Sequence, residues 1–233
     1  MAASRVPACF LLEEEMVLST SDCTITTLLL VIQHISDDII LSQGLGTPVM
    51  QELFSTERTL TSHLHFFAGR EAWKPSDDWS KFDDCLKTRN AGKINKEADA
   101  VLKYLKEQCG AKKLGVIGFC CGGIAVHHLM VTYPELKAGI SLYGLIKHSG
   151  DISNLLNPTC FIFAEKDDFI PLHQVILLEQ KLKENCKVNY EVKIYPRQTH
   201  SFVHCRREDI NPQDRPYIEE EEKNMISWLK KYI

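Results

Sequence analysis

No apolar run in this 233-residue chain approaches the roughly 20 residues that a bilayer span requires; Thr27 to Ile32 is apolar but far too short. The N-terminus shows no basic segment followed by a long apolar core, so no secretory signal is expected. Neither sign of charge dominates, with 27 Lys and Arg against 31 Asp and Glu and a net charge of −4. The basic residues are dispersed, which argues against the stripe of positive charge that a nucleic-acid footprint needs. There is no repeat and no low-complexity linker. The acidic run Glu219 to Glu222 reads as the solvated face of a terminal helix. The spaced C-x-x-C pairs of a zinc site are also missing. The nine cysteines are an odd number and mostly stand singly within apolar or helical segments, so no disulfide framework is expected. These observations together predict a cytosolic protein with no structural metal, binding neither membrane nor nucleic acid.

What is present is enough apolar residue, 44 %, for one sizeable core. A single domain over residues 1–233 is expected, since α/β domains of about this length are routine. Leu86 to Gln108 carries Ile94, Ala98, Val101, Leu102 and Leu105 at helical spacing. Leu114 to Phe119 reads as a buried strand, followed by a helix from Ile124 to Tyr133. Ala138 to Tyr143 and Cys160 to Ala164 read as further strands, and Val188 to Tyr195 as a β-rich one. His173 to Asn185 and Pro216 to Tyr232 complete the pattern as helices, with Pro216 suited to a first turn. Strands alternating with helices predict a mostly parallel sheet with helices on both faces. The first 72 residues are poorly legible: Thr27 to Ile32 suggests a core strand, but Ser36 to Ser62 shows no clear period.

The most informative stretch is Gly118-Phe119-Cys120-Cys121-Gly122-Gly123. It lies where a buried strand must turn sharply into a helix, and glycines on either side of one residue permit that bend. The apex residue then projects beside the first amides of the helix, as in a nucleophile elbow, with Cys120 at the apex. In a parallel sheet, reactive groups gather beyond the carboxyl ends of strands. Glu165-Lys166-Asp167-Asp168 follows one strand, and Pro196-Arg197-Gln198-Thr199-His200 follows another. Cys120, an aspartate and His200 thus occur in the chain order nucleophile, acid, histidine.

The chemistry explains why three groups are needed. The thiolate is the attacking species, a histidine takes and returns the proton, and a carboxylate fixes the imidazole tautomer. The backbone N–H of Cys121 is a natural donor to the developing oxyanion. Each residue also has a plain structural role open to it: Cys120 as a small core residue, Asp167 as a turn cap, His200 as a loop residue. His127, His128 and His148 read as packing or solvent residues.

From about Ala72 to Ile233 the chain resembles the dienelactone hydrolase family. The landmarks are Trp73-Lys74-Pro75-Ser76-Asp77-Asp78-Trp79, Leu86-Lys87-Thr88-Arg89-Asn90, the elbow at Cys120, Phe163-Ala164-Glu165-Lys166-Asp167 and Gln198-Thr199-His200-Ser201-Phe202-Val203-His204. The resemblance implies an α/β-hydrolase fold that hydrolyses small cyclic enol-lactones and related esters without a cofactor. It implies Cys120 as nucleophile, His200 as general base and acid, and Asp167 as the orienting carboxylate. Asp168 is excluded because the family frame Asp-x-x-hydrophobic-Pro matches Asp167 through Pro171. The family's carboxylate-binding arginines suggest Arg206 and Arg207, and analogy suggests the Ile35 N–H as a second oxyanion donor. His34 stands where the family has an acidic residue, and His63-Leu64-His65 replaces a turn that contains aspartate.

The expected partner is a small ester or lactone, with the oligomeric state open and a monomer favoured. Two other functions compete with this one. An altered N-terminal third would leave a catalytically inactive relative that binds ligands or proteins. A redox sensor would use the vicinal pair Cys120-Cys121, at the cost of a strained disulfide.

Overall fold

The computed structural model describes residues 27–33 and 59–65 as backbone, and residues 94–107, 110–146, 152–203 and 212–233. The strands are β1 (Thr27–Gln33), β2 (Thr59–His65), β3 (Lys113–Phe119), β4 (Leu136–Leu142), β5 (Thr159–Ala164) and β6 (Tyr190–Tyr195). The helices are α1 (Asn95–Glu107), α2 (Cys121–Thr132), α3 (Leu172–Asn185) and α4 (Arg215–Tyr232). The sheet order is β2-β1-β3-β4-β5-β6. Strands β3 to β6 are parallel, as expected, while β1 runs antiparallel to both β2 and β3. Strand β2 was not anticipated. Its sequence Thr-Leu-Thr-Ser-His-Leu-His carries few β-rich apolar residues, and its pairing with β1 supplies order that its own pattern does not announce.

The inner parallel strands β3, β4 and β5 are largely buried without alternation because helices cover both faces. All of β5 is buried, as is β3 after Lys113. Helix α1 buries Ala98, Val101, Leu102 and Leu105, the i, i+3, i+4, i+7 row that its sequence shows. Glu97 in its first turn and Lys106 in its last complement the helix dipole. Helix α2 is different: Ile124, Ala125, Val126, Leu129 and Met130 are buried almost all round, so it is a central helix rather than an amphipathic one.

Two helices cover opposite faces. On the α2 side, Met130 lies over Gly139, where a Cβ would come within 2.6 Å of its Cγ, and His127 meets the ring of Phe161 at 5.5 Å. On the other side, α4 places Glu221 near Cys160 and Tyr195, and carries the chain on to Ile233, whose side chain fills the space above Gly115. No helix among the described residues is long and apolar enough to cross a membrane.

Candidate active site

The β3–α2 connection is a strained turn. Cys120 has φ 51° and ψ −111°, a backbone conformation costly for any residue with a Cβ. Its amide donates to Leu142 O at 2.9 Å and its carbonyl accepts from Ile124 N at 3.3 Å, so the turn is tied both to β4 and to the helix it opens. The glycines are required by close approach. A Cβ on Gly118 would lie 2.1 Å from the carbonyl oxygen of Gly122 and 2.7 Å from Val126 Cγ2. One on Gly123 would lie 2.6 Å from Gly144 Cα. The helix can therefore start directly beneath the apex residue only with glycine at both positions.

Asp167 follows β5. Its Oδ1 accepts from the backbone amides of Phe169 at 2.8 Å and Ile170 at 3.0 Å, the capping turn open to it from sequence. This leaves Oδ2 for His200, whose Nδ1 lies 2.7 Å away. One carboxylate thus both caps the turn and hydrogen-bonds the imidazole. Asp168, its neighbour, is exposed.

His200 follows β6 in a loop with two residues at positive φ, Arg197 and Ser201, both at 63°. The two loops are joined by their own backbone. Glu165 N donates to Tyr195 O at 3.0 Å, Lys166 N to Gln198 O at 2.9 Å, and Arg197 N to Glu165 Oε2 at 2.7 Å. Buried Gln198 donates in turn to Asp214 Oδ1 at 3.0 Å. Sheet pairing therefore continues past the strand ends and fixes how far Asp167 stands from His200.

The third contact closes the set: His200 Nε2 lies 3.2 Å from Cys120 Sγ. Three residues that are 33 and 80 positions apart in pairs meet through one imidazole. The Asp167 side chain is fully buried and that of His200 is 15 % exposed, so a reactant can approach the imidazole but not the carboxylate. Burial opposes charge on His200. The hydrogen bonds to Asp167 and Cys120, with their negative charge, outweigh it and raise the imidazole to about 9. The arrangement favours a charged imidazole, with Nε2 facing the sulfur of Cys120 along a fixed line.

The aromatic flanks of the imidazole were not singled out from sequence. Tyr143 packs on one side with centroids 5.1 Å apart, and Phe169 meets the ring edge-on at 4.9 Å. Tyr143 is itself at φ 39° and buried, whereas Phe169 is half-exposed. The available signal was position alone, since both follow strand ends. His127, read from sequence as a packing or solvent residue, takes the first role: it is buried and hydrogen-bonded to Ser141 Oγ at 2.7 Å beneath the elbow. Burial lowers it to about 3, so it is neutral.

Cys121 opens α2, where first-turn amides have no intrahelical acceptor. Ile35, Arg206, Arg207, His34 and the Trp73–Trp79 and Leu86–Asn90 landmarks lie outside the described residues.

Comparison with known proteins agrees with this architecture. The model of the dienelactone hydrolase family matches residues 64–233. A carboxymethylenebutenolidase homologue of Xenopus tropicalis is 58 % identical over 81 % of this chain and 76 % of its own length. That of Rattus norvegicus is 57 % identical over 81 % of this chain and 77 % of its own. An esterase of Pyrococcus furiosus, at 15 % identity, superposes over 79 % of this chain and 75 % of its own with a TM-score of 0.55, a likeness of fold. The chain belongs to the dienelactone hydrolase family, α/β-hydrolase enzymes acting on carboxylic ester bonds.

Proposed function

We propose that this protein is a cysteine hydrolase of small cyclic enol-lactones and related esters, working through Cys120, His200 and Asp167. The observation that carries the reading is the position of His200, 2.7 Å from Asp167 Oδ2 and 3.2 Å from Cys120 Sγ at the apex of a strained turn. Thiolate attack on the carbonyl carbon forms a C–S bond and puts negative charge on the oxygen. That oxyanion lies against the amide of Cys121, with the Ile35 amide as second donor. Collapse breaks the C–O bond, and His200 protonates the departing alkoxide or enolate. In a lactone the leaving oxygen stays tethered to the acyl group. Neutral His200 then takes a proton from water, which attacks the thioester; collapse releases the acid and restores the thiolate. Asp167 holds Nδ1–H throughout, so Nε2 always faces the sulfur. Arg206 and Arg207 are the candidate partners of a substrate carboxylate, and a reducing cytosol suits the thiol.

The alternative of a relative that binds without turnover gains nothing from this geometry, since all three groups stand at working distance. The test compares hydrolysis of a five-membered enol-lactone carboxylate by wild type, Cys120→Ala and Cys121→Ala. Turnover is expected to vanish in the first variant and to persist largely in the second. Equal activity in wild type and Cys120→Ala would overturn the assignment. Turnover of simple aryl esters but not of lactones would overturn the substrate class alone.

A further inference from the structure

Strand β6 ends the sheet of the described residues, and among them its outer side pairs with no other strand. On its inner side Thr159 N donates to Asn189 O and Glu165 N donates to Tyr195 O. The β5–β6 register is uninterrupted between these points. Odd-numbered residues of β6 therefore turn their N–H and C=O groups toward β5. Even-numbered Tyr190, Val192 and Ile194 turn theirs outward, leaving a ready-made edge for another strand.

The side chains of this edge are self-complementary. Tyr190, Val192 and Ile194 form an apolar row, the first two half-buried and Ile194 37 % exposed. On the opposite face Glu191 and Lys193 stand side by side, paired with each other at 3.2 Å and both accessible. We propose that β6 pairs antiparallel with β6 of a second copy of this chain about a two-fold axis at Val192, making a homodimer with one continuous sheet.

The register follows from the two faces together. A two-fold antiparallel pair must set even residues against even ones, because only those have outward backbone groups. Centring on Val192 places Tyr190 against Ile194 and Val192 against itself, each facing pair exchanging both backbone hydrogen bonds. It places Glu191 against Lys193 at both ends, in the non-hydrogen-bonded positions where side chains lie closest. Moving the axis to Glu191 would set that carboxylate against its own copy, and moving it to Lys193 would do the same with the ammonium. Like charges directly opposite are destabilising, so the charges select one register of the three. Pro196, an even-numbered residue without an N–H, ends the outward ladder just beyond the strand. The proposed dimer departs from the monomer that the sequence favours while leaving the oligomeric state open, and it would brace the strand whose end carries His200.

The test is sedimentation velocity over about a hundred-fold range of concentration, since self-association follows mass action. Wild type is expected to show a monomer–dimer equilibrium. Glu191→Lys and Lys193→Glu, each alone, face like with like and should weaken it by at least about ten-fold. An equimolar mixture of the two variants restores opposite charges across the axis but not within either strand, so it should dimerise as wild type does. A monomeric wild type at every concentration, single variants that dimerise as well as wild type, or a mixture that stays monomeric would each overturn the proposal.

Discussion

His200 is the residue on which the site turns, and its charge is set by its two neighbours. Burial favours the neutral ring, while hydrogen bonds and negative charge from Asp167 and Cys120 raise it to about 9. Removing the sulfur removes one of the two supports. In Cys120→Ala the imidazole should titrate clearly below the wild-type value, as read from the ring-proton shifts by NMR. An unchanged titration would mean that Asp167 alone holds the proton. The raised value also has a stability consequence of definite sign. The contribution of charged His200 is complete below the unfolded value near 6.5 and is lost as pH rises through about 9. At this scale the sequence was most legible. Cys120, Asp167 and His200 each follow a strand end, a position readable from local pattern. Tyr143 and Phe169 were not legible as flanks of the imidazole, because ring contacts depend on how separate loops meet.

At the scale of elements, the turn at Cys120 depends on helix α2 starting directly against the end of β3. Gly118→Ala puts a methyl carbon 2.1 Å from a backbone oxygen, which no rotamer change can relieve. We expect a loss of at least about 1–3 kcal/mol, the usual cost of overpacking, measured by urea unfolding, with activity falling further as the apex moves. Retention of wild-type stability and turnover would show that the turn tolerates a different path. The helices and the parallel strands were legible because burial on one stripe or on both faces writes a period into the sequence. The antiparallel pair was half legible: β1 shows an apolar run, while β2 has a polar one and owes its existence to its partner. Helix α1 occupies Asn95–Glu107 within the broader helical stretch read from sequence, and β6 begins at Tyr190, two residues later than its β-rich pattern suggested.

Across the whole molecule, two buried titratable groups outside the site bend the stability curve in opposite directions. His127, held neutral by burial, has its ordinary value of 6.5 lowered to about 3. The unfolded chain binds its proton first, so stability is lost as pH falls from 6.5 toward 3, by up to about 5 kcal/mol at 1.36 kcal/mol per unit. His127→Gln should flatten that acid limb in thermal melts, and an unchanged limb would assign the loss to other groups. Glu221 acts on the other limb. Burial first, then the charge of Glu222, raises it well above 4.5 against the smaller effect of Lys193, and neither carboxyl oxygen finds a hydrogen-bond partner among the described residues. Its contribution is present below 4.5 and lost as pH climbs through the raised value. Glu221→Gln should therefore raise the melting temperature near pH 8 more than near pH 5; equal shifts at both would contradict this. The sequence left His127 open between a packing and a solvent role, and it held no sign that Glu221 is buried. Glu221 stands in the acidic run expected to be solvated, and the packing of α4 across the sheet turns one member of that run inward.

The central claim is that Cys120 carries the acyl group. Its most direct test is a stopped-flow reaction of wild type and Cys120→Ala with an activated aryl ester. The mechanism predicts a rapid burst of one alcohol equivalent per chain followed by slower turnover, with the burst absent from the variant. A folded wild type without a burst would leave the thioester unsupported, and a burst of equal size in Cys120→Ala would place the nucleophile elsewhere.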